Sequence, residues 1–300
     1  MRLELYRVFY HVARYGSISE AARQLFASQP AVSQSIRQLE DYLGAKLFVR
    51  GSRGVSLTAE GAVLYDYVQR GYNTFLTGER ALRDVLTLQS GEVRIGGSDT
   101  LCKHVLLPVL RRFMSNHPQI KIRVTNRTTP ESLDLLRRQE VDMALVHLPE
   151  ASEEFDLTPI RQITDCFVAN ARFAEALQHP LHASALSQLP LLVLERETST
   201  RESLDVWAAR QGVVLTPEVE LGSVDLLVEF ARIGLGLAYV VRDFVERDLA
   251  EGELLEVRLV DPPPGRTVGL ATNAALPLSR AAQEFMQMVI AAGQKGGTLA

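Results

Sequence analysis

Only two cysteines, Cys102 and Cys166, occur in 300 residues. They are too few and too far apart for a disulfide framework or a zinc-ligand spacing, and they fit a reducing, cytoplasmic setting. No stretch approaches the roughly 18 apolar residues of a membrane span, and the opening MRLELYRVFYHVARYGS is broken by charge too often for a secretory signal. No membrane partner is therefore expected. Histidine is scarce at six, and the histidines form no catalytic or metal-binding pattern. Cys102 and His104 stand two apart, so on a helix they point to different sides; His179 and His182 in HPLH are a lone pair on an expected loop. The sequence thus predicts no catalysis, no metal and no cofactor. One alternative is a thiol switch at Cys102, placed near an expected helix start that would lower its pKa.

A large charge of either sign is also missing, since the net charge is -4. The charge is unevenly divided. Residues 1 to 90 hold 11 Lys or Arg against 8 Asp or Glu, giving +3, and the remaining 210 residues carry 21 against 28, giving -7. A basic head on an acidic body suits a phosphate-binding module joined to something else.

What the head does contain is SISEAARQLFASQPAVSQSIRQLE, residues 17 to 40. Ser17 and Glu20 form an S-x-x-E capping box that opens one helix. Ser28 caps the next, and Pro30 falls in its first turn, where a missing N–H is tolerated. The few residues between them predict a helix-turn-helix. In the second helix Val32, Ile36, Leu39 and Leu43 make one apolar stripe, while Gln29, Pro30, Ser33, Gln34 and Arg37 lie outside it. Arg, Gln and Ser are the side chains that read base edges in a major groove. Glu40 and Asp41 come a turn later, where the helix would leave the groove. Next, GAKLFVRGSRGVSLTAEG places two short extended runs, Leu47 to Val49 and Val55 to Leu57, around a turn that carries Arg50 and Arg53. This small wing is positioned to reach phosphates.

Residues 58 to 89 read as one long helix with Thr58 as N-cap. Positions 61, 64, 68, 71, 75, 78, 82 and 85 alternate spacings of three and four, a heptad seam suited to helix pairing. From residue 92 strands alternate with helices, which implies parallel sheets with crossover connections. Hydroxyls recur at the strand-to-helix turns: Ser98 and Thr100, Thr128 and Thr129, Ser199 and Thr200, and Ser223. Such helix starts expose free N–H groups and favour anions, although each hydroxyl can equally be a simple cap. Lys103, Arg127 and Arg201 beside these turns favour an anion, and Asp99, Glu195 and Glu197 favour an amine.

In these residues the chain resembles the LysR-type transcriptional regulators. The likeness is nearly gapless in FYHVARYGSISEAARQLFASQPAVSQSIRQLEDYLGAKLFVRGSRGVSLTAEG and looser in LLPVLRRFMSNHP, VDMALVHLP and GLGLAYV. It departs where Val241 stands in place of a frequent proline. The resemblance implies an α/β protein with an N-terminal winged helix-turn-helix (residues 1–61), a dimerising linker helix (62–91) and an effector-binding regulatory domain (92–300). That domain would comprise two subdomains like those of periplasmic solute-binding proteins: about 92–161 with 267–300, and about 162–266. The crossings are expected near Thr158 to Thr164 and at DPPPGR, residues 261–266.

Double-stranded DNA would be contacted by Ser28, Gln29, Pro30, Ser33, Gln34, Arg37, Arg50 and Arg53. A small organic acid or amino acid would be held by Ser98, Asp99, Thr100, Thr128, Thr129, Ser199, Thr200 and Arg201. The protein would be cytoplasmic and self-associate as a homodimer or homotetramer on a palindromic operator. A solute-binding module without DNA regulation is the remaining alternative.

Overall fold

The computed structural model describes residues 2–51, 54–87, 91–149 and 151–294. The chain divides into two compact units, Met1–Leu86 with Arg137–Glu140, and Thr87–Leu136 with Val141–Ala300.

The first unit opens with α1 (Leu3–Tyr15), α2 (Ile18–Gln24) and α3 (Gln29–Leu43). Ser17 Oγ accepts from the Glu20 N–H at 3.2 Å, and Ser28 Oγ accepts from the Ala31 N–H at 3.4 Å, so both helices start at the capped residues. The reciprocal half of the capping box does not form, because the Glu20 carboxylate pairs with Arg23 and Gln24 one turn on. α3 stops at Gly44, whose φ of 68° is left-handed and whose N–H returns to the Glu40 carbonyl.

Val32, Ile36 and Leu39 face inward against Leu5, Val8, Phe9, Val12 and Ala21. Burial of each such side chain contributes about 1.5–3 kcal/mol. β1 (Phe48–Gly51) and β2 (Gly54–Leu57) then form an antiparallel wing with Phe48 opposite Leu57. The wing is tied to the α1–α2 turn by the Val55 N–H on the Gly16 carbonyl at 2.9 Å. Thr58 caps the long helix α4 (Ala59–Thr87) by accepting from the Gly61 N–H at 2.9 Å. Among the described residues no helix is long and apolar enough to cross a membrane.

The second unit is built of two five-stranded sheets. Its elements, in chain order, start with β3 (Gly91–Gly97), α5 (Asp99–Leu101), α6 (Leu107–Asn116), β4 (Ile120–Asn126), α7 (Thr129–Arg137), β5 (Met143–His147) and β6 (Phe155–Ile163). The chain then passes to β7 (Asp165–Ala169), α8 (Ala183–Leu186), β8 (Leu191–Leu194), α9 (Ser199–Arg210), β9 (Val219–Leu221), α10 (Val224–Arg232), β10 (Leu237–Val241), α11 (Glu246–Ala250) and β11 (Leu255–Val257). β12 (Arg266–Asn273) and α12 (Arg280–Gln294) complete it.

The first sheet has the order β4-β3-β5-β12-β6 and the second β11-β7-β10-β8-β9. In each, three neighbouring strands pair in parallel, as the alternation of strands and helices predicts. β7 and β12, the strands by which the chain enters a sheet after each crossing, run against the other four of their sheets, so β7 pairs antiparallel with β10 and β11, and β12 with β5 and β6. The first crossing is short: β6 continues to Ile163, and β7 begins at Asp165. Val241, the position of a frequent proline in the family, pairs with Asp165 and is buried.

The segment from Asp99 to Asn116 is not a uniform α-helix. Between α5 and α6, Cys102–Leu106 form a π-helical turn in which the Leu107 N–H reaches the Cys102 carbonyl. Pro108 lacks an N–H for the preceding turn, and the widened turn accommodates that loss.

Candidate functional site

The outer face of α3 is open. Ser28, Gln29, Pro30, Gln34 and Arg37 are exposed and Ser33 is half-buried. Glu40, by contrast, turns inward and is buried. Its carboxylate accepts from Lys46 Nζ at 2.8 Å and from the backbone N–H groups of Leu47 at 2.9 Å and Phe48 at 3.4 Å. Burial pushes this carboxyl up, but Lys46 and the two N–H groups outweigh it and hold the pKa below the usual range. Glu40 therefore does not oppose a polyanion on the outer face; it anchors the strand that begins the wing. The sequence places it in the helix's last turn, and only the fold shows that it points at the chain end of its own wing. Arg53 and the side chain of Arg50 lie outside the described residues.

In the second unit a cleft of about 240 Å³ lies between the two sheets, at the ends of β3, β5 and β8 and the starts of α5, α7, α9 and α10. This is where open α/β sheets bind ligands. Seven of the eight residues expected there line it: Ser98, Asp99, Thr100, Thr128, Thr129, Ser199 and Thr200. Arg201 does not. Its side chain is buried, with Nε 2.9 Å from Asp205 and Nη1 3.2 Å from Glu220 and 3.1 Å from the Leu194 carbonyl. It points away because it is three residues past the N-cap of α9, which is Thr198 rather than Ser199. The other two flanking cations are also paired, Lys103 with Asp225 at 2.8 Å and Arg127 with Glu131 at 3.8 Å.

Several lining residues had no sequence signal. Asn126 closes β4 and accepts the Asp99 N–H at 3.0 Å. His147, the last residue of β5, has a buried Nδ1 without a hydrogen-bond partner among the described residues. Burial, and then the charge of Arg266, push its pKa down to about 3, so the imidazole is neutral. Behind the wall, Arg266 grips Asp165 through a fork of 2.6 and 2.7 Å, and its Nη2 also donates to Thr200 Oγ1 at 3.2 Å. Arg266 opens β12 and Asp165 opens β7, so one buried ion pair joins both crossing strands to the cleft.

The thiols are poor nucleophiles. Burial pushes Cys102 up to about 11 and Cys166 up to about 12. Cys102 sits at the start of the π-helical turn rather than at a free helix end. Among the described residues no group of three His, Cys, Asp or Glu side chains is placed to hold a metal.

The two units thus pair a winged helix-turn-helix with a two-lobed cleft. Comparison with known families agrees: the bacterial regulatory helix-turn-helix protein, lysR family, matches residues 3–62, and the LysR substrate binding domain matches residues 87–294. The chain belongs to the LysR family of transcriptional regulators. It is 31% identical over 248 residues to YusT, an uncharacterised HTH-type transcriptional regulator of Bacillus subtilis, covering 83% of this chain and 81% of that one. In fold it is similar to ArgP of Mycobacterium tuberculosis, with a TM-score of 0.76 at 20% identity over 96% of each chain. It is also similar to the CcmR regulatory domain of Synechocystis solved in complex with 2-PG, with a TM-score of 0.63 at 19% identity, covering 70% of this chain and 100% of that one.

Proposed function

We propose that this LysR-type regulator reads a palindromic operator as a dimer or a dimer of dimers, and that its cleft senses a small metabolite bearing an anionic group. The reading assigns residues 1–61 to DNA, 62–91 to dimerisation and 92–300 to the effector. Gln29, Ser33, Gln34 and Arg37 enter the major groove; Ser28 and Pro30 bring the helix start to the backbone, and Arg50 and Arg53 reach phosphates from the wing. The observation that carries this is the outer face of α3, exposed and without a carboxylate from Gln29 to Leu39, with Glu40 turned inward and Asp41 left at the helix's far end.

The cleft residues Ser98, Asp99, Thr100, Thr128, Thr129, Ser199 and Thr200 hold the effector, while Arg201 shapes α9 from behind. The fold's likeness to a regulatory domain solved with 2-PG supports a ligand at this level. A regulatory rather than catalytic role is supported by the raised thiol pKa values and by relatives that are transcriptional regulators.

Arg37→Ala is the test. It should cost about 1–3 kcal/mol on the specific site, the range for a lost bidentate base contact, and relax sequence preference. Footprinting with salt titration reads this; equal loss on specific and random DNA would overturn the base-reading role of Arg37.

A further inference from the structure

The hydroxyls of the cleft are not equivalent, because five of them, those of Ser98, Thr100, Thr128, Thr129 and Thr200, have used one half of their hydrogen-bonding capacity within the protein, and not the same half. Ser98 Oγ accepts from the Leu101 N–H at 3.4 Å, Thr129 Oγ1 from the His147 N–H at 3.3 Å and Thr200 Oγ1 from Arg266 Nη2 at 3.2 Å. A hydroxyl that accepts from the protein still has its single hydrogen to give. These three present donors, and Asn126, whose Oδ1 takes the Asp99 N–H, presents its amide N–H₂.

Thr128 and Thr100 are the reverse. Thr128 Oγ1 donates to Glu131 Oε2 at 2.9 Å and Thr100 Oγ1 to Asp99 Oδ1 at 3.3 Å, which leaves only lone pairs for a ligand. Exposure sorts the two charge environments by depth: Thr200 is buried and Ser98 and Thr129 are half-buried, whereas Asp99 and Glu131 are exposed at the mouth. Among the described residues, Arg127 is the one cation that lines the cleft, and it and its neighbours Lys103 and Arg266 already hold carboxylates. Lys103 pairs with Asp225, Arg127 with Glu131 and Arg266 with Asp165, and His147 is neutral.

We propose that the ligand is a small amino-acid zwitterion, with its carboxylate on the inner donors Ser98, Thr129 and Thr200 and its ammonium at the mouth against Asp99, Glu131 and the lone pairs of Thr128. A dicarboxylate of the same length places its second charge against two carboxylates and loses. This rests on the cleft being the effector site, and it narrows the anion expected there to one whose far end is a hydrogen-bond donor.

Calorimetric titration of the full-length protein tests it, with a panel of L-amino acids and a panel of length-matched dicarboxylates that includes succinate and glutarate. At least one amino acid should saturate the protein. Thr200→Val and Thr129→Val should each weaken it at least tenfold, and Asp99→Asn should weaken the amino acid while strengthening the dicarboxylates. Two variants at the inner wall guard against one that fails to fold. A dicarboxylate that binds where no amino acid does, and that Thr200→Val weakens, overturns the zwitterion and leaves the cleft as the effector site. Binding insensitive to both inner variants, or no binding from either panel, overturns both readings.

Discussion

Phe26 stands in the turn between α2 and α3 with its side chain 99% exposed and a φ of 52°. A left-handed backbone costs an L-residue other than glycine or asparagine roughly 1–2 kcal/mol, and an exposed ring recovers none of it from packing. Phe26→Gly should therefore stabilise the protein by about 0.5–1 kcal/mol, since part of the gain is lost to the greater freedom of the unfolded glycine. Urea denaturation followed by circular dichroism measures it, and a lower midpoint would show that the ring has a partner.

Glu40 works in the opposite sense. Its folded pKa lies below the unfolded value near 4.3, so its contribution is complete above that value and is lost as pH falls through the folded pKa. Glu40→Ala should cost about 2–3 kcal/mol at pH 7, because the Leu47 N–H is left buried without an acceptor. The gap to the wild type should shrink as the pH is lowered below 4, and denaturation curves at pH 7 and pH 3.5 give that difference. Residues of this kind are the hardest to read in a sequence. Ser17, Ser28 and Gly44 announce themselves because their partners are local. Glu40 and His147 act on groups that only the folded chain brings near, and a glutamate in a helix's last turn resembles any solvated one.

At the scale of elements, α4 shows where a periodic pattern has two readings. The heptad positions Leu64 and Val68 pack into the head's own core with Phe48 and Leu57, while Val63, Tyr67, Phe75 and Leu82 are exposed. Spacing alone cannot separate a stripe that packs on its own unit from a stripe that awaits a partner, since both repeat every three or four residues. The exposed set is the one suited to a second copy. Leu82→Glu should leave the fold intact and shift sedimentation towards monomer, because the buried charge would have no partner across the pairing. Leu64→Glu should instead unfold the head, seen as loss of cooperative melting. Dissociation without unfolding in Leu64→Glu would return the seam to its heptad position.

The alternation of strands and helices was legible from residue 92 onwards because the turns before α5, α7, α9 and α10 carry hydroxyls and the strands short apolar runs. The antiparallel strands at the crossings were not, because strand direction depends on where the chain re-enters a sheet. The π-helical turn escaped as well: LCKHVLLPVLRRFMSNH reads as one uniform helix, and nothing in its pattern marks the widened turn at Cys102–Leu106 ahead of Pro108.

At the scale of the molecule, the ion pair of Arg266 with Asp165 ties both crossing strands to the cleft wall. Arg266→Gln should lower thermal stability by about 3–5 kcal/mol, as expected when one partner of a buried pair is removed, because Asp165 is left uncompensated. Scanning calorimetry reads it, and the double variant Arg266→Gln/Asp165→Asn should recover most of the loss.

The position of β12 also governs the order in which the lobes form. β12 lies between β5 and β6, so the sheet that begins at residue 91 lacks an inner strand until residue 273 has been made, whereas β7 to β11 form a sheet from an uninterrupted stretch. Closing a strand across that separation carries a loop entropy the later lobe does not face. During synthesis the second lobe is therefore the first to finish, although its chain starts later, and the first waits with β5 and β6 unpaired on the sides that β12 will occupy. Pulse-labelled hydrogen exchange during refolding should protect Val193 and Val240 before Ile95 and Leu145. A nascent chain released before β12 would expose two apolar strand edges at once, which makes this interval the one in which the protein most needs a chaperone.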